Sequence, residues 1–214
     1  MTGAMSEEEI LNVFRQVGAI VTDSHIVYTS GKHGALYINK DALYPHTAGT
    51  SRVCRAIAQR FIDENVQVVM APAIGGIVLS QWVAQHLSEI NGYEVLAVYA
   101  EKTADGGFVI KRGYDKLIMG KNVLVVEDTL TTGGSVKKVI EATRIAGGNV
   151  VGLGVLCNRG GITMNDVGDV PKLTALITVN PDVWDEEACP LCQQNAPINV
   201  DVGKGREFLA QRHS

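Results

Sequence analysis

A run of acidic, hydroxyl-bearing and glycine residues from Glu127 to Ser135 is the part of the sequence best suited to chemistry. It follows the apolar residues 123–126 and reads Glu-Asp-Thr-Leu-Thr-Thr-Gly-Gly-Ser. Backbone amides at the start of a helix attract phosphate, and glycine lets the backbone approach it closely. The two carboxylates have the wrong charge for phosphate and suit hydroxyl groups or a metal ion. The run predicts a site for a ligand that carries a sugar diol and a phosphate; a capped helix after an acidic strand end is the alternative.

Two further polar segments follow apolar runs. In the first, 70–76, a strand ends in a small-residue turn before a helix, and the amides of residues 73–76 could face a phosphate. The second, 102–116, is a polar loop with glycines, whose cations could neutralise a departing anion and whose glycines would let it close and open. An ordinary tight turn and a solvated charged hairpin are the respective alternatives.

The elements around these segments predict the fold class. Apolar runs of strand length alternate with amphipathic helical patterns, which is typical of a parallel sheet covered on both faces. We therefore predict an α/β fold with a central, mainly parallel sheet flanked by helices. The predicted strands are 66–71, 93–100, 122–126, 150–157 and 173–179, and the predicted helices between them are 75–90 and 135–146.

The N-terminal part has a different pattern. Ser6 and Glu9 form a capping box that opens one helix, and 50–65 is a second amphipathic helix. Between them, two β-rich pieces, 25–28 and 36–38, predict a hairpin or hood-like insertion. We predict a single domain over 1–214, in which about 1–45 form a small N-terminal hood and about 181–214 form a C-terminal tail.

Composition excludes several classes of protein. The 214 residues carry a net charge of −4, which gives no general attraction to nucleic acid or anionic membranes. No apolar run approaches the roughly 18 residues of a membrane span, and the first residues do not resemble a secretory signal. Four cysteines are too few for a disulfide scaffold, so we expect a cytoplasmic protein. Cys189 and Cys192 lack a second cysteine pair for zinc, so we expect a tail turn or an oxidation site there and no protein metal site.

The run 123–135 resembles the signature with which type I phosphoribosyltransferases bind 5-phosphoribosyl 1-diphosphate (PRPP). The resemblance implies that Glu127 and Asp128 hold the ribose 2- and 3-hydroxyls and that the following turn cradles the 5-phosphate. It also implies that the first polar segment faces the diphosphate and that the second is a mobile catalytic cover. The predicted catalytic residues are Lys102, Lys111 and Asp128. The predicted PRPP contacts are Ala73, Ile74, Gly75, Gly76, Lys102, Arg112, Glu127, Asp128, Thr129, Thr131, Thr132, Gly133, Gly134 and Ser135.

Within that family, the segment 29–39 and the tail from Cys189 to Pro197 resemble the hood and the C-terminal end of orotate phosphoribosyltransferases. Arg159, directly after a strand, matches the place where those enzymes present an arginine to the carboxylate of the base, a pairing that suits a planar guanidinium. The resemblance implies base contacts from Lys32, Tyr37 and Arg159. Thr29 and Gly34 depart from the usual lysine and serine, and the loop lacks the Lys-X-His pattern found elsewhere in the family.

The resemblance implies transfer of a phosphoribosyl group from PRPP to orotate in pyrimidine nucleotide synthesis. It also implies Mg²⁺ held mainly by PRPP, since magnesium prefers substrate oxygens and water to an all-protein cage. A homodimer is the expected assembly. The alternatives are a phosphoribosyltransferase for another nucleobase and a regulator that binds PRPP or a nucleotide without catalysis.

Overall fold

The computed structural model describes residues 5–212 of the chain. Its strands are β1 (Ile20–Val21), β2 (Ile26–Val27), β3 (His33–Gly34), β4 (Tyr37–Ile38), β5 (Val68–Pro72), β6 (Leu96–Lys102), β7 (Phe108–Val109), β8 (Asn122–Leu130), β9 (Asn149–Asn158), β10 (Leu173–Thr178) and β11 (Val183–Trp184). Its helices are α1 (Glu7–Gln16), α2 (Lys40–Leu43), α3 (Thr47–Gln59), α4 (Gly75–Asn91), α5 (Tyr114–Ile118), α6 (Gly134–Ile145), α7 (Pro190–Gln193) and α8 (Gly205–Arg212). None of these helices is long and apolar enough to cross a membrane.

The chain divides into two compact units. The first unit contains the described residues up to Val13 together with Thr47–Val179. The second unit joins Phe14–His46 to the residues from Asn180 onward, so two stretches that are far apart in sequence build it together.

A six-stranded sheet in the order β10-β9-β8-β5-β6-β7 forms the centre of the first unit. Every neighbouring pair is parallel except β6 and β7, which are antiparallel at one edge. All five residues of β5 are buried, as expected for a strand that is covered on both faces. The predicted α/β class with a mainly parallel sheet is confirmed.

Two strands extend further at their carboxyl ends than the apolar runs predict. β8 continues past Val126 because its pairing with β9 runs as far as Leu130 and Asn158. β6 continues past Ala100 to Lys102 because β7 pairs with its last residues. Polar residues can occupy these positions because the ladder hydrogen bonds involve only the backbone.

Close packing of α3 on the sheet explains two glycines in β9. A Cβ at Gly152 would lie 2.6 Å from the Phe61 ring, and one at Gly154 would lie 2.7 Å from Ile57 Cγ2. These glycines therefore allow α3, and Phe61 just after its end, to approach the strand.

α3 ends at Gln59, before the predicted end at Asn65, because the chain turns through a short 3₁₀ segment to a left-handed Asn65 with φ 47°.

The predicted capping box at the start of α1 is confirmed. The Ser6 amide donates to Glu9 Oε2 at 2.7 Å, and the Glu9 amide donates to Ser6 Oγ at 3.3 Å. The Ser6 amide, together with the Ser6 hydroxyl that donates to the same Oε2 at 3.0 Å, holds the pKa of the Glu9 carboxyl below its ordinary value. The exchange satisfies two amides that the first helical turn would otherwise leave without partners.

The second unit contains two small sheets, β11-β3-β2 and β1-β4. The two predicted β-rich pieces do not pair with each other, so the hairpin predicted between them is wrong. β2 pairs instead with β3, and β4 pairs with β1. Gly34 allows this arrangement, since a Cβ at that position would meet the Tyr28 side chain.

Candidate active site

Strand register brings the polar segments of the first unit to one edge of the sheet. Met70 of β5 is level with Val125 of β8 and with Val98 of β6, and the three strands are parallel. The segments that follow these strands therefore leave the sheet at the same edge. The chain passes from β5 to β6 on one side and later returns to β8 on the other, and ligands of such sheets bind where the strand order switches in this way.

The acidic pair lies inside β8, close to its carboxyl end. Glu127 and Asp128 expose only 9% and 7% of their surfaces. The Asp128 amide donates a hydrogen bond to Glu127 Oε1 at 2.9 Å, which orients the glutamate along the strand. Buried carboxylates need hydrogen-bond donors, and the hydroxyls of a sugar diol are donors of that kind.

The turn after β8 directs backbone amides outward at the start of α6. Gly133 has φ 73° and no side chain caps the helix. Glycine adopts this left-handed conformation without steric cost, and a Cβ there would also lie 2.9 Å from Val167 Cγ1. The Gly134 amide makes a long 3.4 Å hydrogen bond to Thr132 Oγ1. Thr131, Thr132, Gly134 and Ser135 are exposed, so amides and hydroxyls surround a helix N-terminus that favours an anion.

The turn between β5 and α4 differs from its prediction at one residue. The Ala73 amide donates to the Ala100 carbonyl at 2.8 Å, so the prediction that this amide faces a ligand is wrong. Ile74 is 84% exposed, and no side chain caps α4. Gly76 lies against β5, since a Cβ there would be 2.7 Å from Ala71 Cβ. The amides of residues 74–76 are therefore the ones in position to meet an anion.

The predicted mobile loop begins as an antiparallel hairpin. Lys102 of β6 is level with Phe108 of β7, and the Thr103 amide donates to the Gly107 carbonyl at 3.0 Å. At the tip, Lys138 Nζ of α6 donates to the Gly106 carbonyl at 2.7 Å. In this conformation the segment matches the charged hairpin that was the alternative interpretation. It contacts α6, the helix that follows the predicted phosphate-binding turn at residues 131–133 (the phosphate turn).

Glu101 pairs with two of the three predicted cations of the loop. Arg112 Nε lies 2.8 Å from Glu101 Oε1, and Lys111 Nζ lies 3.7 Å from Oε2 of the same carboxylate. Both cationic side chains are more than half exposed. Lys102 is exposed and pairs with no carboxylate of the described residues. Because exposed ion pairs contribute little stability, Lys111 and Arg112 can exchange Glu101 for an anionic ligand.

Arg159 lies beside the end of β8. Its amide donates to the Leu130 carbonyl at 2.7 Å, which places it directly next to the phosphate turn. Asn158 fixes the turn that carries it: Asn158 Nδ2 donates to the Ile162 carbonyl at 2.8 Å, and Oδ1 accepts the Ile162 amide at 3.1 Å. Sequence reasoning missed this role of Asn158, and its only signal was an asparagine directly after an apolar run.

The other two predicted base contacts lie in the second unit. Lys32 Nζ pairs with Asp185 Oδ1 at 3.0 Å, and both side chains are substantially exposed. Tyr37 lies in β4, level with Val21 of β1, and is partly buried. The roles of Lys32 and Tyr37 at the base stay predictions.

The donors at this edge suit a magnesium ion that is bound largely by substrate. Mg²⁺ takes about six oxygen ligands in near-octahedral geometry. Glu127 and Asp128 offer carboxylate oxygens, and one oxygen of Glu127 already accepts the neighbouring amide. An ion here would therefore take most of its ligands from substrate oxygens and water.

Comparison with known proteins identifies the family of the chain. Residues 39–188 match the family described as phosphoribosyl transferase domain. The chain is 39% identical to an orotate phosphoribosyltransferase of Desulforamulus reducens, over 90% of this chain and 95% of that protein. It is 37% identical to one of Thermus thermophilus, over 89% of this chain and 98% of that protein. A Mycobacterium tuberculosis orotate phosphoribosyltransferase solved in complex with PRPP shares the fold, with a TM-score of 0.61 and 20% identity over 80% of this chain and 95% of that one. The chain therefore belongs to the phosphoribosyltransferase family, on the branch of the orotate phosphoribosyltransferases.

Proposed function

We propose that the chain transfers the 5-phosphoribosyl group of PRPP to orotate, which yields orotidine 5′-monophosphate and diphosphate. One arrangement carries the proposal: the buried pair Glu127 and Asp128 lies shortly before the N-terminus of α6, whose N-cap residue Gly133 has no side chain to cap it. Carboxylates that can accept hydrogen bonds from hydroxyl groups thus lie a few residues before backbone amides that can bind phosphate. A ribose 5-phosphate presents the matching groups in the same order.

In this proposal the acidic pair and the phosphate turn hold the two ends of the ribose phosphate. Glu127 and Asp128 accept hydrogen bonds from the 2- and 3-hydroxyls. The amides and hydroxyls of 131–135 bind the 5-phosphate, and Thr129 lines the approach to them. Holding both ends fixes the position of C1, and such positioning is a large part of the rate enhancement in transfers that need no strong general base.

The departing diphosphate would be stabilised by amides and cations from the same sheet edge. The C1–O bond breaks while a ring nitrogen of orotate bonds to C1, and diphosphate leaves with the electron pair. The amides of 74–76 and the ammonium of Lys102 offset the developing negative charge. Lys111 and Arg112 would join them once their ion pairs with Glu101 have broken. Mg²⁺ bound to PRPP supplies further charge neutralisation.

Arg159 would select the base. Its guanidinium can form two parallel hydrogen bonds with the carboxylate of orotate, which uracil and the purine bases lack. The ring nitrogen gives up its proton as it bonds to C1, and the departing diphosphate, whose charge rises as it leaves, can accept that proton through solvent, so the step does not require a strong general base among the described side chains. The backbone hydrogen bond from Arg159 to Leu130 supports this assignment, because it keeps the arginine beside the phosphate turn.

We further propose a single functional domain over 1–214, a homodimer and a cytoplasmic location. The homodimer rests on the family resemblance, and light scattering of the purified chain tests it. The location is supported by the four cysteines at positions 54, 157, 189 and 192, none of which forms a disulfide, since oxidising compartments favour disulfides.

A base screen tests the proposed reaction. The purified chain is incubated with PRPP and Mg²⁺ and with orotate, uracil, adenine, hypoxanthine or no base, and diphosphate release is measured. We expect release with orotate alone. The Asp128→Asn variant, purified in the same way, controls for contaminating enzymes. Faster release with another base would contradict the assignment to orotate, and PRPP binding without release would favour a regulator.

A further inference from the structure

Four potential metal ligands meet in the second unit. His25 precedes β2, His33 lies in β3, Cys189 is the N-cap residue of α7, and Cys192 lies within α7. One ligand atom from each of these residues lies within 4.8 Å of all the others. His25, His33 and Cys189 are almost fully buried, and Cys192 is partly buried. The second ligand pair that the Cys-Pro-Leu-Cys segment lacked in the sequence is therefore supplied by two histidines.

The three nitrogen–sulfur separations match a tetrahedral site, and the nitrogen–nitrogen separation is shorter. His25 Nε2 lies 2.8 Å from His33 Nδ1, and Cys192 Sγ lies 3.3 Å from His33 Nδ1. Cys192 Sγ and Cys189 Sγ lie 3.6 Å and 3.7 Å from His25 Nε2. With metal–nitrogen and metal–sulfur distances of about 2.0 and 2.3 Å, neighbouring ligand atoms of a tetrahedron are about 3.3–3.8 Å apart. Small side-chain shifts would centre the four atoms on one ion.

The hydrogen bonds of His25 leave its inner nitrogen for a metal, and His33 faces the cluster through Nδ1. His25 Nδ1 lies 2.9 Å from the Ala196 carbonyl. A carbonyl only accepts, so Nδ1 carries the proton and Nε2 presents its lone pair to the cluster. A backbone carbonyl on the outer nitrogen is the usual partner of a metal-bound histidine. His33 contacts His25 Nε2 and Cys192 Sγ through Nδ1, so Nδ1 is the atom that a metal would take; the proton of the bound imidazole would then be on Nε2, which has no hydrogen-bond partner among the described residues.

The C-terminal stretch of the second unit is joined to Phe14–His46 by backbone hydrogen bonds, including the pairing of β11 with β3, but it buries few apolar side chains. In the described part of that stretch, Cys189 is the only hydrophobic residue that is fully buried. Units of this size rarely stay folded on a small core alone, and many gain stability from a bound metal. Two ligands come from Phe14–His46 and two from the residues after Asn180, so one ion would join the two stretches.

We infer that His25, His33, Cys189 and Cys192 bind one Zn²⁺ as a closed, four-ligand structural site. Two sulfur and two nitrogen ligands in a tetrahedron suit zinc, and four protein ligands leave no open position for catalysis. Binding would release two protons, one from each thiol, as the thiolates form. The inference is independent of the proposed transfer reaction, which rests on residues of the first unit.

Metal content tests the site directly. The full chain is expressed with added zinc, dialysed against metal-free buffer, and analysed by elemental mass spectrometry. We expect about one zinc per chain. The double variant Cys189→Ser, Cys192→Ser should retain less than about a tenth of that amount, whereas Cys54→Ala, which removes a buried thiol of the first unit, should retain all of it. Wild-type protein without a stoichiometric metal, or with a Cys189–Cys192 disulfide, would overturn the inference, and so would a double variant that keeps its zinc.

Cobalt substitution keeps the inference testable if the double variant does not fold. Wild-type chain reconstituted with Co²⁺ should show the intense visible bands of a tetrahedral ion and a sulfur-to-metal charge-transfer band. Zinc should displace the cobalt and abolish both features. An octahedral cobalt spectrum, or one without the charge-transfer band, would exclude thiolate ligation and contradict the proposed ligand set.

Discussion

The amide of Arg159 donates a 2.7 Å hydrogen bond to the carbonyl of Leu130, so the predicted base-binding arginine is joined through the backbone to the strand that carries the acidic pair. The base and the ribose would thus be held by adjacent strands of one rigid sheet. We therefore expect different effects on orotate binding from substitution of Arg159 and from substitution of Asn158, which fixes the turn that carries Arg159.

Replacing Arg159 should weaken orotate binding far more than PRPP binding. A charge-assisted hydrogen bond contributes about 1.5–3 kcal/mol, so Arg159→Ala should raise the KM for orotate roughly 10- to 100-fold. Arg159→Lys should restore part of the loss, because lysine keeps the charge without the planar pair of donors. Steady-state kinetics with each substrate varied measures this. Arg55→Ala, which breaks the exposed ion pair between Arg55 of α3 and Glu89 of α4, is the control and should leave both KM values unchanged. An equal rise in the KM for PRPP in Arg159→Ala would contradict the assignment.

Asn158 should act as a positioning residue for Arg159. Asn158→Ala removes the side-chain hydrogen bonds to Ile162 and loosens the turn. The expected result is a several-fold rise in the KM for orotate with a smaller change in kcat, because the arginine is displaced and the phosphate turn is retained. Thermal unfolding of the variant, measured in parallel, separates this effect from a general loss of structure. Unchanged orotate kinetics in a folded variant would show that Asn158 has no such role.

Lys102 should contribute more to turnover than Lys111. Lys102 pairs with no carboxylate of the described residues, whereas Lys111 shares Glu101 with Arg112 and must leave it first. We expect Lys102→Ala to lower kcat about 100-fold, in the range seen when a charge-stabilising group is removed, and Lys111→Ala to lower it less. Lys116→Ala on α5 is the matched control. Single-turnover measurements compare the variants, and a larger loss in Lys111→Ala would reverse the assigned roles.

The two core cysteines should resist thiol reagents in the folded chain. Burial raises the pKa of Cys54 to about 12 and that of Cys157 to about 11, so almost no thiolate forms near neutral pH. Labelling with a maleimide at about pH 8, followed by peptide mass spectrometry, should modify neither residue until the chain is unfolded. Fast labelling of either residue in folded protein would show that the core opens readily at α3 or β9.

The sequence predicted the acidic pair, the phosphate turn and the parallel sheet because each depends on a continuous local pattern. Ala73 was placed wrongly because its amide bonds to Ala100, which belongs to the next strand, and strand pairing of this kind leaves no local signal. The small sheets of the second unit were missed because two-residue strands have no periodicity to detect. The histidine–cysteine cluster was also invisible, since His25 is separated from Cys189 by 164 positions and only the fold brings them together.

Kinetics of the double variant Glu127→Gln, Asp128→Asn test the central claim most directly. The amides keep the size of both side chains and remove the charges that would hold the ribose hydroxyls. With orotate saturating and PRPP varied, we predict a strongly raised KM for PRPP and a kcat lowered at least about 100-fold, in a chain whose thermal unfolding still shows a folded protein. Near-normal kcat and KM for PRPP in the folded double variant would contradict the account.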